Sequence, residues 1–287
     1  MFVLLALTVV AVGACALYYM TCIEPYRFGV VRRDVVLPAL PERFDPLTIL
    51  HISDLHLYRP NPRMAAFLEG LKEVDVDLVV FTGDLIINDS MIEYCADALR
   101  PLRGRLGTYS VFGNHDHYDY SFVDSWLFRS KTRHPNQSGK LADDLTRTGV
   151  TVLRNGNVEM PQGEGLIHLA GVDDNGTGKS DLAAALAGIP KGAFTILLSH
   201  TIDILLDSQN PTVDFVVAGH THGGQIRLPL LGPLFSRTKL PRKLCWGVTE
   251  HEGTTLAVTS GLGVNRWAPF RLLCRPEAVI YTLRRSN

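Results

Sequence analysis

The run Leu47-Thr48-Ile49-Leu50-His51-Ile52 leads straight into Ser53-Asp54-Leu55-His56, so an apolar strand-like stretch closes on a carboxylate and an imidazole. The same grammar returns four times. Asp77 to Thr82 runs into Gly83-Asp84, and Thr108 to Phe112 runs into Gly113-Asn114-His115-Asp116. Phe194 to Leu198 precedes Ser199-His200, and Val213 to Ala218 precedes Gly219-His220-Thr221-His222. Carboxylates, imidazoles and one amide, with no thiolate among them, make a donor set for two divalent cations such as Mn, Fe(II) or Zn. Side chains two apart on a strand share a face, so Asp54 with His56, and His220 with His222, are expected to reach a common ion. Gly83 and Gly113 remove a side chain where backbone must come close to ions or substrate. In sheets with helical crossovers, ligand sites gather outside the carboxyl ends of the strands, which is where these clusters fall.

Between the strand-like runs lie helical patterns at Asn61 to Val74, Ser90 to Arg103, Gly139 to Thr148 and Ser180 to Ala187. Further strands are expected at Val150 to Leu153, Leu166 to Gly171, Leu256 to Thr259 and Ala278 to Leu283. So many strands exceed one helix-covered sheet. The expected fold is an α/β, four-layer α-β-β-α sandwich of two mixed sheets flanked by helices, preceded by one N-terminal transmembrane helix.

The bounds agree with a globular enzyme: 287 residues at 46% hydrophobic composition supply a sizeable core. A formal charge of -1 argues against a polyanion-binding surface, so no nucleic acid partner is expected. Five cysteines without CxxC spacing make a disulfide framework improbable. Met1 to Ile23 carries no charged side chain and is long enough to cross a bilayer. No Lys or Arg precedes this run, unlike a cleaved signal peptide, so it reads as an uncleaved anchor, with residues 24–46 as tether and edge strand and 47–287 as the catalytic domain. Arg27, Arg32 and Arg33 follow the span, which by the positive-inside bias puts the domain on the cytoplasmic side of the inner membrane.

Each fragment alone is weak, because a lone histidine is more often a surface or satisfied core residue than a ligand. His51, His117, His134, His168 and His251 lie outside the pattern and read as ordinary, with His117 alone placed to reach the cleft. Taken together and in order, D-x-H, G-D, G-N-H-D, H and G-H-x-H resemble the calcineurin-like metallophosphoesterase superfamily. Glu24-Pro25-Tyr26-Arg27, Gly171-Val172-Asp173-Asp174, Gly223-Gly224-Gln225 and Gly261-Leu262-Gly263 add a looser likeness to its membrane-linked phosphodiesterase branch. Ser199-His200-Thr201-Ile202-Asp203 departs from the His-x-Pro-Asp form expected there, which leaves His200 in place and alters the loop after it.

The resemblance implies that Asp54, His56 and His222 hold one cation, that Asn114, His200 and His220 hold the other, and that Asp84 bridges both. It implies Mn as the metal and His115 as the group that protonates or stabilises the leaving oxygen. The role of Asp116 stays open. Beside the last ligand cluster, Ile226 to Trp246 interleaves leucines and Phe235 with Arg227, Arg237, Lys239, Arg242 and Lys243. Such a loop suits a headgroup region and would offer Arg227 and Arg237 to a lipid phosphate, though a loop packed on the sheet with solvated basic residues reads equally well. A family candidate is the hydrolysis of UDP-2,3-diacylglucosamine, a step of lipid A biosynthesis. The alternatives are a general phosphodiesterase on small soluble substrates, a catalytically dead interaction scaffold on the same fold, and a nuclease, for which the basic track is lacking.

Overall fold

A computed structural model of the chain describes residues 1–122, 133–207 and 213–286. Two six-stranded mixed sheets carry it. The first runs Gly29–Val36, Glu277–Arg284, Leu47–Ile52, Leu78–Thr82, Gly107–Val111 and Thr151–Val152 in spatial order. All neighbours are parallel except Glu277–Arg284 against Leu47–Ile52. The second runs Gly247–His251, Thr254–Val258, Phe215–Ala218, Thr195–Leu198, Gly165–Gly171 and Gly156–Gln162. Its centre is parallel, and both edge strands are antiparallel.

Strand pleating sorts the apolar side chains into layers. Leu47, Ile49, Leu78 and Val80 face the second sheet and pack with Ile167, Leu169, Ile196, Leu198, Phe215 and Val217. Leu50, Ile52, Val79 and Phe81 face the other way, against Met64 and Leu68 of helix Pro62–Gly70, Ile92 and Leu99 of helix Ile92–Leu99, and Leu141 and Leu145 of helix Ser138–Arg147. On the outer face of the second sheet, Leu197, Val216 and Leu256 meet Leu182 and Ala185 of helix Leu182–Leu186 together with Ile202 and Leu205. Strands covered on both faces read as unbroken apolar runs, which is why these were visible in the sequence.

Two strands of these six-stranded sheets escaped that reading, Gly156–Gln162 and Gly247–His251. Each is an edge with a single partner and much exposed surface, so its sequence carries polar residues and, in the first, Pro161. Gly29–Val36, expected within Tyr26 to Leu37, is also an edge, paired in parallel along its length with Glu277–Arg284.

Before it comes helix Phe2–Tyr18, exposed throughout and continuing helically to Tyr26; this run is long and apolar enough to cross a membrane. Its end is tied to the domain. Arg271 donates its backbone N–H to Met20 O at 2.9 Å, and Cys274 donates to Glu24 Oε1 at 2.6 Å.

Local capping supports the helix that follows the first site loop. Asn61 Oδ1 accepts the Met64 N–H at 3.1 Å ahead of Pro62–Gly70. Replacing Asn61 with Ala is expected to cost about 1 kcal/mol of stability. Chemical denaturation should show a lower midpoint at unchanged slope; an unmoved midpoint would mean that the cap contributes nothing.

Candidate metal centre

The site forms where loops leave the carboxyl ends of strands in both sheets. Beyond Ile52 the backbone turns left-handed, with φ of 54° at Asp54 and 48° at His56. Convergence of this pair therefore comes from a strained loop, not from the strand pleat that the spacing suggested. The strain is shared: of eleven non-glycine residues with positive φ among the described residues, five are Asp54, His56, Asp84, His220 and His222. Hydrogen bonds hold the loops in register, Asp54 N to Gly83 O at 3.0 Å and His56 N to Asp84 O at 2.9 Å. A Cβ on Gly113 would overlap the Asp84 carboxylate and crowd the His200 ring, and one on Gly219 would overlap Ser53 and Asp54.

Three groups of donor atoms result, each within 4.8 Å: Asp54, His56 and His222; His56, Asp84 and His115; Asp84, His200 and His220. Asp84 Oδ2 lies 3.5 Å from His56 Nε2 and 3.3 Å from His200 Nε2, while its Oδ1 accepts the His115 N–H at 2.8 Å. Nε2 of His56 faces Nε2 of His222 at 2.9 Å, and Nδ1 of His220 faces Nε2 of His200 at 3.0 Å. Asn114 Oδ1 is buried with no hydrogen-bond partner among the described residues. Opposed imidazole nitrogens, an orphaned amide oxygen and buried carboxylates fit divalent cations in both chemistry and placement.

Burial lowers the pKa of His56 and His222 and brings His220 to about 3 and His115 to about 4, so these rings stay neutral with lone pairs to give. Burial is the largest influence on Asp84 and His200 and disfavours charge on both, but the attraction and hydrogen bond between them, together with the neighbouring imidazoles and carboxylates, outweigh it. Asp84 is held well below the ordinary carboxylate range and His200 is raised to about 10. The His200 ring is oriented by its Nδ1, which donates to Thr82 O at 2.7 Å and leaves Nε2 toward Asp84.

A family model, calcineurin-like phosphoesterase, matches residues 47–224. The chain belongs to that family. It is a metal-dependent phosphoesterase of a dinuclear-metal family, and phosphoester hydrolysis is its reaction class. Among relatives of this phosphoesterase, the Bacillus subtilis metallophosphoesterase YkuE is 30% identical over 94% of this chain and 90% of its own length. Escherichia coli phosphodiesterase YaeI is 27% identical, covering 92% of each chain. A zebrafish (Danio rerio) transmembrane protein with a metallophosphoesterase domain is 29% identical over 90% of this chain and 57% of its own.

The two loop arginines of the phosphoesterase part company. Arg237 lines one cavity with Thr221, which sits between His220 and His222, and with Asn265, the neighbour of His115, and its charge acts on the carboxylates and imidazoles of the centre. Arg227 instead stacks 3.8 Å from the Trp246 ring centroid and lines another cavity with Arg27 and Arg275. The altered loop after His200 has a use: Asp203 accepts from the Thr238 hydroxyl and, at 3.0 Å, from Lys239 N, pinning the segment that carries Arg237. His117 is buried and bonds Asp173 at 2.5 Å.

Two contributors gave no readable signal in the sequence. Asn265 Nδ2 lies 3.3 Å from His115 Nε2, in a segment without a motif. Arg271, fully buried, donates to Ser260 O, Gly261 O and Gly263 O at 2.7, 3.2 and 2.6 Å, shaping the turn that packs on Asp54. Asp116 joins two site loops: Oδ1 accepts from Leu85 N at 2.8 Å and Ile86 N at 3.1 Å, and Oδ2 from Gly113 N at 2.9 Å.

An amide at position 116 could accept on one atom only and would set an N–H group against another. Asp116→Asn is therefore expected to weaken metal affinity by roughly 10–100-fold with the far-UV spectrum unchanged. Metal titration reads the loss; wild-type affinity would show that Asp116 does not position the loops.

Proposed function

We propose that Asp54, His56 and His222 hold one cation, that Asn114, His200 and His220 hold the second, and that Asp84 is shared, with Mn as the physiological metal. When bound, the pair would neutralise phosphoryl oxygens and acidify a water for in-line attack. His115, oriented by Asn265, stabilises the leaving oxygen through a hydrogen bond from its neutral ring. Arg237 binds a non-transferred phosphate oxygen.

The observation that carries the substrate assignment is a cavity of about 450 Å³ lined by Thr221, Arg237 and Asn265 together with Leu234, Phe235, Trp267 and Phe270. Polar groups adjoining the centre and apolar walls beyond it suit a phosphodiester or pyrophosphate with a large apolar portion, such as UDP-2,3-diacylglucosamine. We read Met1 to Ile23 as its membrane anchor, residues 24–46 as connection and 47–287 as the catalytic domain. Arg27, Arg32 and Arg33 after the span support a cytoplasmic position at the inner membrane. Small soluble phosphodiesters remain the second reading, supported by the named activity of the E. coli relative.

The test is a rate panel with the detergent-solubilised full chain loaded with Mn, against UDP-2,3-diacylglucosamine, a small phosphodiester and a phosphomonoester. The lipid substrate should have the highest kcat/KM, and a lead for the small diester would overturn the lipid assignment. Arg237→Ala should lose roughly 10–100-fold in kcat/KM on the lipid. His115→Ala should retain metal and lose about 10²–10⁴-fold in kcat, most for poor leaving groups. Equal losses for good and poor leaving groups would remove its role at the leaving oxygen.

A further inference from the structure

A second cavity, of about 760 Å³, lies away from the metal centre and is lined by Tyr19, Arg27, Arg227, Leu230, Trp246 and Arg275 among others. Three guanidinium groups meet there. None of Arg27, Arg227 and Arg275 has a carboxylate within ion-pair distance among the described residues. Arg27 donates to Tyr19 Oη at 3.0 Å, Arg275 to Arg27 O at 3.4 Å, and Arg227 covers Trp246. Two glutamates share the wall: Glu24 accepts from Cys274 N through Oε1, with Oε2 unpartnered among the described residues, and Glu277 accepts from Trp246 Nε1 at 2.7 Å and Ser260 N at 3.0 Å and lies 3.9 Å from Arg33. Three guanidinium groups against two carboxylates leave the wall net positive.

The rim is apolar and exposed. Arg227–Leu228 pairs antiparallel with Gly232–Pro233, so Pro229, Leu230 and Leu231 form the tip of a hairpin. Leu230 has φ of 67°, a position where glycine or asparagine costs less, and its side chain is fully exposed. Leu231 and Leu273 are 62% and 55% exposed beside it. Water offers no reason for leucine in a strained, solvated tip; a hydrocarbon boundary does.

Continuity names the occupant. Tyr19, Glu24 and Arg27, at the end of the apolar N-terminal helix, line this same cavity; Arg271 and Cys274 bond Met20 and Glu24, and Arg227 N donates to Leu272 O at 2.9 Å, so helix and hairpin are tied to one segment. A helix inserted in a bilayer therefore carries the Leu230 tip to the interface. We propose that this surface is a second membrane contact, with Leu230, Leu231 and Leu273 in the acyl boundary and Arg27, Arg227 and Arg275 around the phosphate of an anionic phospholipid. The contact holds the catalytic domain in one orientation against the membrane. It rests on the reading of the N-terminal helix as an anchor.

The experiment uses the full chain in lipid nanodiscs, in a Cys15→Ser, Cys22→Ser background, since Cys95, Cys245 and Cys274 are buried. A fluorophore is placed at Leu231→Cys or, as control, at exposed Val36→Cys, seven residues along its strand from the cavity residue Gly29 and so roughly 23 Å away. Lipids spin-labelled near the headgroup should quench the Leu231 probe and leave the Val36 probe unchanged. Quenching should be stronger with phosphatidylglycerol than with phosphatidylcholine, and the triple variant Arg27→Gln, Arg227→Gln, Arg275→Gln should lose that difference. A chain that stays out of the nanodiscs overturns anchor and contact together. An incorporated chain with an unquenched Leu231 probe overturns the contact alone, and equal quenching in the two lipids overturns the phosphate site.

Discussion

The Asp84 carboxylate is the point on which the rest converges. It is buried at the end of a strand of the first sheet, and its oxygens reach His56 from the same sheet, His115 through a backbone N–H, and His200 from the second sheet. An isolated carboxylate in such a place would be costly, so its neighbours must be imidazoles, N–H groups and cations. The two sheets thus meet at a charge as well as in the apolar layer between them.

That demand explains the backbone. Donor atoms from five loops close around a small volume, and in three of those loops the chain turns sharply through left-handed residues, at Asp54 and His56, at Asp84, and at His220 and His222. Each costs of order 1–3 kcal/mol and persists because the flanking strands are fully buried and the loops are cross-bonded. Asp116 and Arg271 serve that cross-bonding: one gathers N–H groups of two loops, the other gathers the carbonyls of the turn against Asp54.

The sheets were legible because strands buried on both faces are written as continuous apolar runs, and the donor residues were legible because each follows such a run. What was not legible had physical reasons. Gly156–Gln162 and Gly247–His251 are half-exposed edges that need no apolar run. The left-handed turns fall on Asp and His, where a pleat of period two predicts the same pairing from the wrong geometry. Asn265 reaches His115 across 150 residues of chain, and Arg227 and Arg237, equivalent in composition, are separated by a hairpin that turns one toward Trp246 and the other toward the centre.

Two cations sharing one carboxylate are what the proposed chemistry requires. Anomalous X-ray diffraction from crystals of the Mn-loaded protein measures this directly. Two peaks about 3.5–4 Å apart with Asp84 between them are expected. A single peak, or two peaks of which only one contacts Asp84, would contradict it.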